Sequence, residues 1–190
     1  MAGKPFVLII GDSISMGYTP LVKEMLASRM DVERIPQNGG DSANVLAHLD
    51  EWLAPRPPAA IHFNCGLHDL KRNRTTGELQ QPLDAYVRNL KRILALLKEK
   101  TTARLIWATT TPVIYERHRK VKDFDRSEAD VEAYNAAALE TMREACVEIN
   151  DLHAVIVAEG VEECICEDGV HMTPRGNSAL AKAVAKCLAS

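Results

Sequence analysis

Five consecutive apolar residues, Phe6-Val7-Leu8-Ile9-Ile10, are followed at once by Gly11-Asp12-Ser13. The run has no polar alternation, so it does not suit a sheet with one wet face. It reads as a strand covered on both sides. Such strands belong to parallel sheets with helices on each face, which confines the chain to the α/β class. Ala60-Ile61-His62-Phe63-Asn64 and Leu105-Ile106-Trp107-Ala108 read the same way, and Val32 to Pro36 and Val147 to Asn150 are weaker strand candidates. Helical patterns lie between them. Thr19, with Pro20 behind it, is a predicted helix cap. Apolar residues recur at helical spacing in Val45, Leu49 and Trp52, and again in Tyr86, Leu90, Ile93 and Leu97. Ser127-Glu128-Ala129-Asp130 has the form of a capping box ahead of Val131, Tyr134, Ala138 and Met142. Thr173-Pro174 opens a last helix carrying Leu180, Val184 and Leu188. The expected fold is a three-layer α/β/α arrangement around a five-stranded parallel sheet, and the 190 residues suit one domain, 1–190.

The net charge of −3 argues against a nucleic-acid partner, which calls for a basic excess. No stretch approaches the ~20 apolar residues of a membrane span. The five cysteines, Cys65, Cys146, Cys164, Cys166 and Cys187, show no CxxC spacing, so free thiols in a reducing compartment are expected and no metal ligand set is visible. Gly11-Asp12 interrupts the first apolar run short of a signal-peptide core, so the predicted location is cytoplasmic.

Ligands of parallel α/β sheets bind beyond the carboxyl ends of the strands. The residues found there are Gly11-Asp12-Ser13-Ile14, then Asn38-Gly39-Gly40-Asp41-Ser42, then Gly66-Leu67-His68-Asp69, then Thr109-Thr110-Thr111-Pro112. Asp168-Gly169-Val170-His171 stands near the C-terminus. Each is weak alone; in this order they describe nucleophilic acyl transfer. Ser13 needs a base, and His171 is the candidate. Asp168, three residues earlier, can accept the imidazole Nδ1 proton and fix the tautomer. The backbone N–H groups of Ser13 and Gly40 suit an oxyanion hole, and a side chain of the third loop would complete it. The pattern is not a G-x-S-x-G elbow, because Ser15 stands where that motif has glycine.

These blocks resemble the SGNH, or GDSL, hydrolases from Gly11 to His171. Gly11-Asp12-Ser13-Ile14 looks like the first block, with Ser13 as nucleophile; Gly39-Gly40-Asp41-Ser42 looks like the second, with Gly40 in the oxyanion hole; Asp168-Gly169-Val170-His171 looks like the last. The third block departs: where the family has Gly-x-Asn-Asp, this chain has Gly66-Leu67-His68-Asp69, so His68 stands in the place of the asparagine donor. The resemblance implies strand order 2-1-3-4-5 and ester hydrolysis without metal or cofactor. Gly-Leu-His-Asp, Thr-Thr-Thr-Pro-Val and Asp-Gly-Val-His together look like a bacterial branch assigned to carbohydrate deacetylation.

The two longest segments at the catalytic edge, 71–81 and 115–126, are polar loops, which favours small, polar acyl esters over lipids; acetylated carbohydrates as substrates are what the resemblance implies. A lysophospholipase or thioesterase and a non-catalytic binding domain of the same fold remain the alternatives. Those two segments also carry eight cations, Lys71, Arg72, Arg74, Arg117, Arg119, Lys120, Lys122 and Arg126, against the four acids Glu78, Glu116, Asp123 and Asp125. Arg117, Arg119 and Lys120 are the expected substrate-binding residues, and the cluster is expected to favour anionic substrates.

Overall fold

The computed structural model describes residues 3–190. Five parallel strands form the central sheet: β1 (Phe6–Ile10), β2 (Asp31–Arg34), β3 (Ala60–Phe63), β5 (Arg104–Ala108) and β7 (Glu148–Asn150), in the order β2-β1-β3-β5-β7. The expected class and strand order are therefore borne out. The interior strands owe their place to the unbroken apolar runs. All four residues of β3 are buried, as are Val7 to Ile10 of β1, because helices cover both faces.

Chain direction assigns the helices to faces. The crossover from β1 to β2 through α1 (Ser13–Leu26) runs one way along the sheet. The crossovers through α2 (Ser42–Leu53), α3 (Leu83–Lys100) and α5 (Glu128–Glu144) run the other way. Right-handed connections then put α1 on one face and the other three on the opposite one. Packing agrees: α2 lies against α3 and α3 against α5, whereas α1 lies against the final helix α8 (Pro174–Ala189), which also meets α6 (Leu152–Glu159). One continuous apolar cluster runs from Val7 to Leu188 through both layers.

Two expectations need correction. The first helix does not begin at Thr19. It begins at Ser13, with Asp12 as its cap accepting from the Ile14 amide at 2.9 Å, and Pro20 lies inside it. The carboxylate cap acts on the first free amides of the helix, and the carbonyl that Pro20 leaves without a donor belongs to the exposed Met16. Nor are 71–81 and 115–126 plain loops. Arg72–Asn73 (β4) pairs antiparallel with Phe124–Asp125 (β6), and α4 (Tyr115–Val121) fills most of the second segment. A two-residue strand has no periodicity to read, which is why the sequence concealed it. A short helix, α7 (Val161–Cys164), precedes the last block.

Candidate active site

Ser13 is the first residue of α1, immediately beyond β1. His171 lies in the turn between α7 and α8, and its Nε2 is 2.9 Å from Ser13 Oγ. The other ring nitrogen, Nδ1, meets Asp168 Oδ2. Asp168 Oδ1 accepts two amides of its own turn, Val170 N at 3.0 Å and His171 N at 2.9 Å. Partial burial pushes the Asp168 carboxyl up, but the hydrogen bonds from the His171 ring and these amides outweigh it and leave the acid below its ordinary range. Gly169 makes the turn feasible: its φ is +75°, and a Cβ there would come within 2.5 Å of the His118 amide nitrogen. Ser13, His171 and Asp168 thus form one continuous chain of contacts.

The turn that carries Ser13 is fixed from a distance. Arg34, at the end of β2, donates from Nε to Ser15 Oγ at 3.0 Å. Its terminal nitrogens reach the carbonyls of Gly11 at 3.1 Å, Gln37 at 2.6 Å and Ile35. The Gly39 amide also donates to Gly11 O at 3.0 Å, which ties the second loop to the first. Asp12 is fully buried. Burial raises its carboxyl pKa even though the Ile14 amide and the charges of Arg126, His171 and Arg34 pull the other way. Its second oxygen has no hydrogen-bond partner among the described residues, and Asp12 and Thr111 both line a small pocket of about 10 Å³ beside the turn.

The three expected oxyanion donors are in different states. The Ser13 amide, as the first of a helix, has no intrahelical acceptor. Gly40, at φ +65°, already donates its amide to the Asn38 side-chain oxygen at 2.9 Å, so an oxyanion there has to displace Asn38. The His68 ring is half-buried, with no hydrogen bond among the described residues. Burial, followed by the nearby charges of Lys71 and Arg126, holds its pKa down at about 4. At neutral pH it is an uncharged ring with one N–H to donate. Asp69, next in the chain, is fully buried and accepts the Ser42 amide with both oxygens, at 2.9 and 3.0 Å, joining the third loop to the start of α2.

The expected substrate cations are mostly engaged elsewhere. Arg117 pairs with Glu162 at 2.7 Å and donates to the Ile165 carbonyl at 2.9 Å. Arg119 donates to Tyr115 Oη at 2.8 Å, and Lys120 is exposed. Arg72 of β4 pairs with Asp130 of α5 at 2.6 Å, and Arg74 just after β4 pairs with Asp125 of β6 at 2.7 Å. Sequence reasoning missed Arg34, Asn38 and the capping role of Asp12. Only the last had a local signal, a helix-capping residue directly ahead of Ser13.

Among solved structures, the chain is similar to a lipase/acylhydrolase from Enterococcus faecalis, with TM-score 0.81, 19% identity and coverage of 97% of this chain and 95% of that one. It is also similar to the acetyl xylan esterase AlAXEase, with TM-score 0.78, 15% identity and coverage of 96% and 99%. A catalytic mutant of Axe2, an acetylxylan esterase from Geobacillus stearothermophilus, gives TM-score 0.77, 16% identity and coverage of 98% and 94%. None of the curated proteins matches the chain in sequence. The family model of GDSL-like lipases and acylhydrolases matches residues 9–179, which takes in all the strand-end blocks from Ser13 to His171. The chain therefore belongs to the GDSL-like lipase/acylhydrolase family and is a carboxylic ester hydrolase.

Proposed function

We propose that the protein hydrolyses small acyl esters, acetyl esters above all, through a Ser13–His171–Asp168 triad, with polar alcohols such as carbohydrates as the leaving group. The observation that carries this reading is the unbroken contact from Ser13 Oγ through the His171 ring to Asp168. Ser13 Oγ attacks the acyl carbon while His171 Nε2 takes its proton; Asp168 holds the imidazole and stabilises its charged form. The oxyanion is received by the amides of Ser13 and Gly40 and by the His68 ring, which does the work of the family's asparagine. The intermediate collapses, His171 protonates the departing alcohol, and water then repeats the sequence on the acyl-enzyme. Acetyl esters of polar alcohols fit a catalytic edge built from charged, mutually paired segments, and two of the similar structures are acetyl xylan esterases.

The test combines a fluorophosphonate probe with p-nitrophenyl acetate turnover. Wild type labels at Ser13, and Ser13→Ala loses both labelling and turnover while melting normally. Loss of the nucleophile costs on the order of 10⁶ in kcat in a serine protease. Near-normal turnover by a folded Ser13→Ala protein would reject the mechanism.

A further inference from the structure

Of the eight cations at the catalytic edge, four are spoken for by the contacts of Arg72, Arg74, Arg117 and Arg119, and Lys120 and Lys122 stand exposed. Arg126 and Lys71 are different. Arg126, just beyond β6, is only 6% exposed. Its Nε donates to the Leu67 carbonyl at 2.6 Å, directly before His68. Its two terminal nitrogens have no hydrogen-bond or ion-pair partner among the described residues, and neither is wholly cut off from solvent. The guanidinium lies over the Phe124 ring, 5.0 Å from its centre, and the Lys71 ammonium lies 5.1 Å from the same centre. Lys71 likewise has no acceptor among the described residues.

Proteins bury cations with partners, because taking a charge out of water is costly. Here Arg126 is buried and Lys71 half-buried against one aromatic ring, and neither has an ion pair among the described residues. The arrangement is tense: burial lowers the pKa of both, and the charge of Arg126 lowers that of Lys71 further. The opposing charges that act on Arg126 are those of Asp12 and Asp168, beside Ser13 and His171, and neither forms an ion pair with it. A guanidinium anchored by Nε, with its outer nitrogens free, presents a planar fork suited to a carboxylate.

We propose that Arg126, supported by Lys71, is a specificity-determining residue that binds a carboxylate carried by the ester substrate. The inference rests on the esterase reading above and narrows its substrate class to anionic esters. The carboxylate can belong to the acyl group or to the alcohol, so two matched pairs are needed. The first pair is p-nitrophenyl hemisuccinate against p-nitrophenyl butyrate. The second is meta-carboxyphenyl acetate against meta-carbamoylphenyl acetate.

Wild type should favour the anionic member of at least one pair by about tenfold or more in kcat/KM, chiefly through KM, as expected for charge-assisted hydrogen bonds. Arg126→Gln should erase that ratio, and Arg126→Lys should retain part of it. If Arg126 only braced Leu67 and balanced Asp12, both members of a pair would fall together, and that result overturns the proposal. Should Arg126→Gln fail to fold, Lys71→Met carries the test and should reduce the same ratio severalfold. Equal wild-type turnover of all four esters would reject the anionic specificity and leave the esterase standing. Failure to hydrolyse any of the four, with no fluorophosphonate labelling, would reject the esterase reading itself.

Discussion

Ser13 and the Asp168–His171 pair meet within one hydrogen bond, yet the chain secures them by opposite means. The Asp168–His171 turn is self-contained: Asp168 is bound by amides two and three residues on, and by the ring it orients. The Ser13 turn is held from outside, by Arg34 from β2 and by the Gly39 amide from the following loop, over a fully buried Asp12. A local device can tolerate motion in its surroundings but tolerates no change in its own backbone. A clamp spread over several elements shares its load, so the loss of one member is milder.

The contrast sets an order of effects. Gly169→Ala should be the most damaging. It forces an unfavourable φ on a side chain, at about 1–2 kcal/mol, and drives its Cβ into the backbone of α4. A displacement of about 1 Å in His171 is worth on the order of 10² in rate, so p-nitrophenyl acetate turnover should fall by about that factor, with a lower Tm. Unchanged kcat would show that the turn is not self-contained. Arg34→Met should lower kcat by about tenfold, or roughly 1.4 kcal/mol in the barrier. A loss for Arg34→Met equal to that for Gly169→Ala would erase the distinction between clamp and turn.

The smallest effect touches the floor the two sides share. His62 in β3 is sealed from solvent, its Nε2 lies 3.1 Å from Asn150 Nδ2, and burial lowers its pKa to about 4. Its unfolded value is ~6.5, so between ~6.5 and 4 the unfolded chain binds more protons than the folded one. The stability that neutral His62 contributes is therefore present above ~6.5 and lost as pH falls toward 4. Asp69, raised to about 7 by burial, works in the opposite sense across the whole of that range, so the informative quantity is a difference. Wild-type Tm should fall more steeply than that of His62→Gln between those limits. Parallel Tm curves would remove His62 as the cause.

The same contrast explains what the sequence revealed. Asp168-Gly169-Val170-His171 is legible because its geometry is written in four consecutive residues. The apolar runs of β1 and β3 are legible because burial on both faces leaves no alternation. Arg34 is not, since nothing near it in sequence says that its side chain returns to Gly11. Asn38 is in the same position: as a polar turn residue it gives no sign that it occupies the Gly40 amide. The eight cations could be counted, but their partners Asp125, Asp130 and Glu162 arrive through the β4–β6 pairing and the docking of α7, so pairing could not be foreseen. Arg126 looked like its neighbours and differs from them only in burial.

Ser13 and His171 are 158 residues apart, and α8, which follows His171, closes against α1, which begins with Ser13. Contacts of such span form late, because loop closure is costly before the intervening sheet exists. In chain order Ser13 precedes β2, β3, β5 and β7, and His171 follows all of them. On the mechanism proposed above, Ser13 stays an ordinary hydroxyl until the segment from Asp168 through α8 docks, and hydrolytic competence is a property of the assembled fold rather than of any one part of it.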